Sequence, residues 1–99
     1  MLVHKERLSG TASSGVLTMT TQKFSGVLLK FIYIKPATAT TTYDVAVEDP
    51  DGERIYFEQG VQGTLLREAD TPTFGVHKVK ITAASSDEAF TAFLKVREN

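Results

Sequence analysis

Three acidic residues in quick succession, Asp49, Asp51 and Glu53, are the strongest candidates for chemistry in this 99-residue chain. Hard cations bind where several oxygens converge from one loop, and D-x-D-G-x is how a calcium loop opens. A full loop closes on a bidentate carboxylate about seven residues later. The segment that follows, IYFEQ, supplies none in register before Glu58, so a plain hairpin turn is the expectation. His4 and His77 are the only histidines and there is no cysteine, which leaves zinc without a ligand set and excludes disulfides and thiol nucleophiles. His77 shares alternate positions with Val79 and Ile81, the pattern of a partly buried sheet residue rather than of a general base. Ser13-Ser14-Gly15 lacks the strand-turn-helix setting of a nucleophile elbow, and GVQGT has neither the lysine nor the helix of a phosphate loop. A chain this short could hardly build a cleft around paired carboxylates. No set of nucleophile, base and oxyanion donor assembles, so the expectation is a non-enzyme with no catalytic residue, no metal and no cofactor.

The elements that must position these residues read as strands. In TYDVAVEDPDGERIYF, Tyr43, Val45 and Val47 alternate with Asp44, Ala46 and Glu48, and Ile55 and Phe57 resume the pattern after Asp49-Pro50-Asp51-Gly52. That turn combines an aspartate able to bond its own downstream backbone, a proline with φ preset and a glycine free to take φ > 0, so a β-hairpin is predicted. GVLLKFIYIK (26–35) is the most apolar run, with Val27, Leu29, Phe31 and Tyr33 assigned to one face and Leu28, Ile32 and Ile34 to the other. A strand apolar on both sides is central, or is covered on its far side by a neighbouring subunit or by the chain's own N-terminal arm or loops. Leu28, Ile32 and Ile34 are therefore candidate partner-binding residues, as are Tyr56 and Phe93, aromatics at outward-leaning positions.

Residues 1–15 read as an edge strand or an arm (2–8) followed by a flexible loop, SGTASSG (9–15). VLTMTT (16–21) is a short strand, EQGVQG (58–63) a corner or bulge, residues 64–67 a brief strand at most, and ADTPTFG (69–75) a loop anchored by Phe74. VHKVKITA (76–83) alternates strictly. The last segment is open to two readings, since Ser85-Ser86-Asp87-Glu88 has the form of a helix capping box while Phe90, Ala92, Leu94 and Val96 alternate as a strand. The strand reading makes 85–88 the turn of a second hairpin. The sum is one all-β domain over 1–99, an antiparallel β-sandwich of seven or eight short strands with immunoglobulin-like or jelly-roll topology, a small closed barrel being the alternative.

Charge narrows the partners. Eleven basic against 12 acidic residues, with no Lys/Arg run, gives no field to recruit nucleic acid. No stretch approaches the roughly 20 apolar residues of a membrane span, nor the apolar run of a signal sequence, so the expectation is a chain compatible with a reducing cytoplasm.

The threonine-rich lead-in, Tyr-Asp-Val strand and D-x-D-G turn of TTTYDVAVEDPDGERIYFEQGVQGTL, followed by GVHKVKITAASSDEAFTAFLKV, resemble the small β-sandwich structural proteins of tailed bacteriophages, the decoration, cement and head-to-tail or tail-associated types. The resemblance covers Thr40 to Val96. It implies a virion component assembled in the host cytoplasm, without an active site, copied as a homo-oligomer and touching capsid, portal or tail proteins, with neither nucleic acid nor membrane as partner. A carbohydrate- or cell-surface-binding module, with Tyr56, Phe93 and loop aspartates as its site, is the alternative.

Overall fold

The computed structural model describes residues 3–84 and 87–98. Their alternating apolar and polar residues form eight strands: β1 (Val3–Thr11), β2 (Leu17–Thr20), β3 (Phe24–Pro36), β4 (Thr42–Glu48), β5 (Arg54–Gln62), β6 (Leu65–Gly75), β7 (Lys78–Thr82) and β8 (Ala89–Glu98). All pairings are antiparallel. One sheet has the order β1-β8-β3-β6 and the other β2-β7-β4-β5. Pairing is nested: β4 with β5, β3 with β6, β2 with β7 and β1 with β8, a long ribbon folded at the Asp49–Gly52 turn and rolled into two layers. This is the jelly-roll form of the expected sandwich.

The predicted hairpin at Asp49–Gly52 is present, closed by Gly52 N–H to the Asp49 carbonyl at 3.0 Å. The second predicted hairpin is not. β7 and β8 lie in different sheets, so the connection after Thr82 crosses from one layer to the other instead of turning back. Two successive alternating strands look the same whether they pair or face each other across a core, and periodicity does not separate the cases. The segment read as either helix or strand is strand β8; Ser85 and Ser86 of the capping-box pattern lie outside the described residues, as does the His4 side chain.

Two other expectations give way. The strand that begins the chain extends to Thr11 beside β8, so most of the predicted SGTASSG loop is strand or the tight Ser13–Val16 bridge. Residues 65–75 form one continuous edge strand, β6, and Phe74, expected as an anchor, is 68% exposed. Pro72 and the polar residues of that strand are compatible with an edge, which pairs on one side only.

Inside the sandwich, Leu29, Ile32 and Ile34 of β3 meet Val45 and Val47 of β4, Val79 and Ile81 of β7 and Leu94 of β8 in one cluster. Each such buried side chain stabilises by about 1.5–3 kcal/mol. Tyr43 closes one end, its ring edge-on to Phe90 at 5.1 Å and its hydroxyl donating to the Gly63 carbonyl at 2.7 Å. Burial, with Glu58 nearby, pushes the Tyr43 phenol up to about 12, so it stays a protonated donor.

Candidate functional site

In the D-x-D-G turn it is the first aspartate that serves the local backbone. Asp49 Oδ1 accepts from Asp51 N–H at 3.0 Å and Glu53 N–H at 2.9 Å, while Gly52 takes a φ of 84°. Among the described residues no group of three His, Cys, Asp or Glu gathers as a metal site. His77 is 1% exposed, between β6 and β7. Its Nδ1 lies 3.1 Å from the Gly75 carbonyl, which only accepts, so Nδ1 carries the proton and Nε2 accepts from the Thr73 hydroxyl at 2.6 Å. Its backbone N–H donates to Thr21 Oγ1 at 2.9 Å, and its ring tilts against Phe24. Burial holds the imidazole below its ordinary 6.5, with the Gly75 carbonyl and Asp49 pulling the other way. It is a structural pin between loops.

Of the five candidate partner-binding residues, only Leu28 and Phe93 lie on the outer face of one sheet, on neighbouring strands but at separate register positions. A register shift at Lys30 resets the phase of β3: relative to β8 this strand carries one extra residue between Leu29 and Phe31. Both Lys30 and Phe31 fall between the buried Leu29 and Ile32, so the inward set is Val27, Leu29, Ile32 and Ile34. Ile32 and Ile34, at 0% exposure, are therefore core residues of this chain and are corrected as partner contacts. Phe31 and Tyr33 move to the outer face with Leu28. Tyr56 sits opposite the buried Val47 in the other sheet, half-buried, its hydroxyl donating to Glu58, which also takes a two-pronged contact from Arg67 at 3.0 and 2.9 Å. Tyr56 and Phe93 thus belong to different sheets and form no common sugar platform.

What the outer face of β1-β8-β3-β6 does assemble is a row the sequence reading had split between faces. The cross-strand register runs Arg7, Phe93, Tyr33, Leu66 in one line and Lys5, Lys95, Phe31, Glu68 in the next. Tyr33 and Phe93 meet at 5.6 Å between ring centroids. Lys5 Nζ stands 4.7 Å above the Phe93 ring and Lys95 Nζ 5.7 Å above Phe31. Together with the 57% exposed Leu66 they line an open depression of about 410 Å³. Leu28, next to Arg97 on the same side, extends the apolar surface. The signal that could have found this row is the bulge, and a bulge leaves little trace in a run as uniformly apolar as GVLLKFIYIK.

The architecture is shared with known structures. The likeness is one of fold. A chain of the cyanophage Pam1 capsid asymmetric unit superposes with a TM-score of 0.56 at 14% identity, over 98% of this chain and 85% of that one. A chain of the acidic stable capsid of Helicobacter pylori bacteriophage KHP30 gives 0.64 at 11% identity, over 98% and 88%. The CBM36-1 domain of a multidomain xylanase from the hindgut metagenome of Trinervitermes trinervoides gives 0.59 at 10% identity, over 99% and 98%. No family model matches the sequence, and no curated protein sequence does.

Proposed function

We propose that this chain is a non-enzymatic structural component of a phage virion, attached to a capsid or head-tail assembly by protein–protein contacts and present as a homo-oligomer. The observation that carries the reading is the division of labour among its side chains. The residues suited to chemistry, Asp49 and His77, are tied to backbone and neighbouring groups inside the fold, whereas Phe31, Tyr33, Leu66 and Phe93 stand on an outer sheet face with no segment of the described chain laid over them. A shared jelly roll with two phage capsid chains supports the same reading.

Mass spectrometry of density-purified particles produced by the genome that encodes the chain tests it. The chain is expected to co-band with particles at a fixed ratio to the main capsid protein; finding it only in the unassembled fraction sinks the reading. The carbohydrate-binding alternative draws on the Tyr33–Phe93 ring pair and the fold shared with a CBM36-1 domain. Glycan-array binding by the purified chain, abolished by Phe93→Ala, is the outcome that would favour it.

A further inference from the structure

We propose that the outer face of the β1-β8-β3-β6 sheet docks an acidic surface of a neighbouring virion protein, with carboxylates seated on Lys5 and Lys95 and an apolar side chain between Tyr33, Phe93 and Leu66. This rests on the virion reading and names the partner chemistry of the same face.

The net charge of −1 conceals a segregation. The outward positions of β1, β8 and β3 hold Lys5, Arg7, Lys95, Arg97, Lys30 and Lys35, and no carboxylate occupies a described outward position on those strands. Among the described residues of this face, acid appears only on the rim strand β6, where Asp70 pairs with Lys30 at 2.7 Å and Glu68 lies opposite Phe31. Lys5 and Lys95 are directly opposed across β1 and β8, an arrangement that costs the free fold stability. Guarding a sheet edge explains a lysine on β1, but not one on β8, which has a strand on either side. The Arg97 Nε, shielded and without a hydrogen-bond partner among the described residues, lies on the same face. Repulsion of this kind is relieved by a complementary negative surface.

The placement of the ammonium groups decides which anion. Each stands over an aromatic ring, so a nucleobase or a sugar could stack on Phe93 or Phe31 only by displacing it. Carboxylates, by contrast, meet the lysines where they already are, and the open depression between the rings takes one apolar side chain without rearrangement.

Lys5→Glu separates fold from docking. It turns the opposed lysines into a Glu–Lys pair, so the purified variant is expected to unfold no earlier than the parent chain, while its incorporation into particles drops by about tenfold or more. Lys95→Gln, which removes one ammonium, is read in parallel and is expected to lower incorporation less steeply. Lys23→Glu, the same charge change on the β2–β3 connection, is expected to incorporate normally. Parent-level incorporation of both Lys5→Glu and Lys95→Gln would overturn the inference and leave the virion reading standing. Absence of the parent chain from particles would overturn both. Release of the chain by nuclease or glycosidase would show a nucleic acid or a glycan on this face and also overturn it.

Discussion

Asp49 and His77 show how the same side chain serves chemistry or architecture according to what lies within 3 Å or so of it. His77 is neutral with both ring nitrogens engaged, and its folded-state value lies below the 6.5 of the unfolded chain. The unfolded state therefore binds its proton first as pH falls, so the stability this residue contributes is complete above 6.5 and is lost as pH drops through the folded value. The groups facing it are Thr73, Thr21, the Gly75 carbonyl, Phe24 and, at longer range, Asp49. Melting temperature followed from about pH 7 to about pH 5 should fall in the parent chain and fall less in His77→Gln. Equal slopes would mean that the imidazole is not the titrating group. Glu58 and Asp70, both lowered by hydrogen-bonded cations, act only below the ordinary carboxylate range and do not blur that window. Val47, wholly buried, gives the sharper stability test: Val47→Asp places an unpaired charge in the core at a cost on the order of 4 kcal/mol or more, enough to unfold much of a small domain. A folded, soluble variant by circular dichroism would contradict the assignment of that face. These two inward positions were legible because Val47 and His77 sit in strictly alternating stretches; the inward turn of Ile32 was not, because Lys30 interrupts the count.

At the scale of elements, the irregular positions matter as much as the regular ones. β5 carries an extra residue opposite β4 near Gly60, whose N–H donates to Asp44 Oδ1 at 2.9 Å, and the corner after β5 turns at Gly63. Both glycines take positive φ, 66° and 69°. They differ in surroundings: a Cβ on Gly60 meets nothing within 4 Å, whereas one on Gly63 would stand 2.6 Å from the Ala39 carbonyl oxygen. Gly60→Ala should therefore cost about 1 kcal/mol for backbone conformation alone, and Gly63→Ala at least about twice that, because the β3–β4 connection must shift. Equal losses in urea denaturation would show that this corner yields freely. The bulge around Gly60 could be read from EQGVQG, as could the hairpin from its Asp-Pro-Asp-Gly turn, since both are written in residues with local conformational meaning. Which sheet receives β8 is written in no local residue. It depends on the long closure of β8 between β1 and β3, and nearest-neighbour reasoning mistakes that for a simple turn-back.

For the whole molecule, the nested order makes the first strand indispensable. β1 pairs along its full length with β8, from Val3 opposite Arg97 to Thr11 opposite Ala89. Removing residues 1–7 would strip the edge from β8 and uncover Leu94 and Val96, so the loss should approach the roughly 5 kcal/mol lower bound of domain stability. A truncated chain that melts within a few degrees of the parent would show that β1 is an appendage rather than part of the roll. The sandwich itself was legible from the number and spacing of alternating segments, whereas the choice of jelly-roll over immunoglobulin-like connectivity was not. That connectivity also has a consequence for biosynthesis. The slot between β1 and β3 is filled by β8, the last of the eight strands to be synthesised, so a nascent chain on the ribosome holds one sheet open down its middle until residues 89–98 have emerged from the exit tunnel.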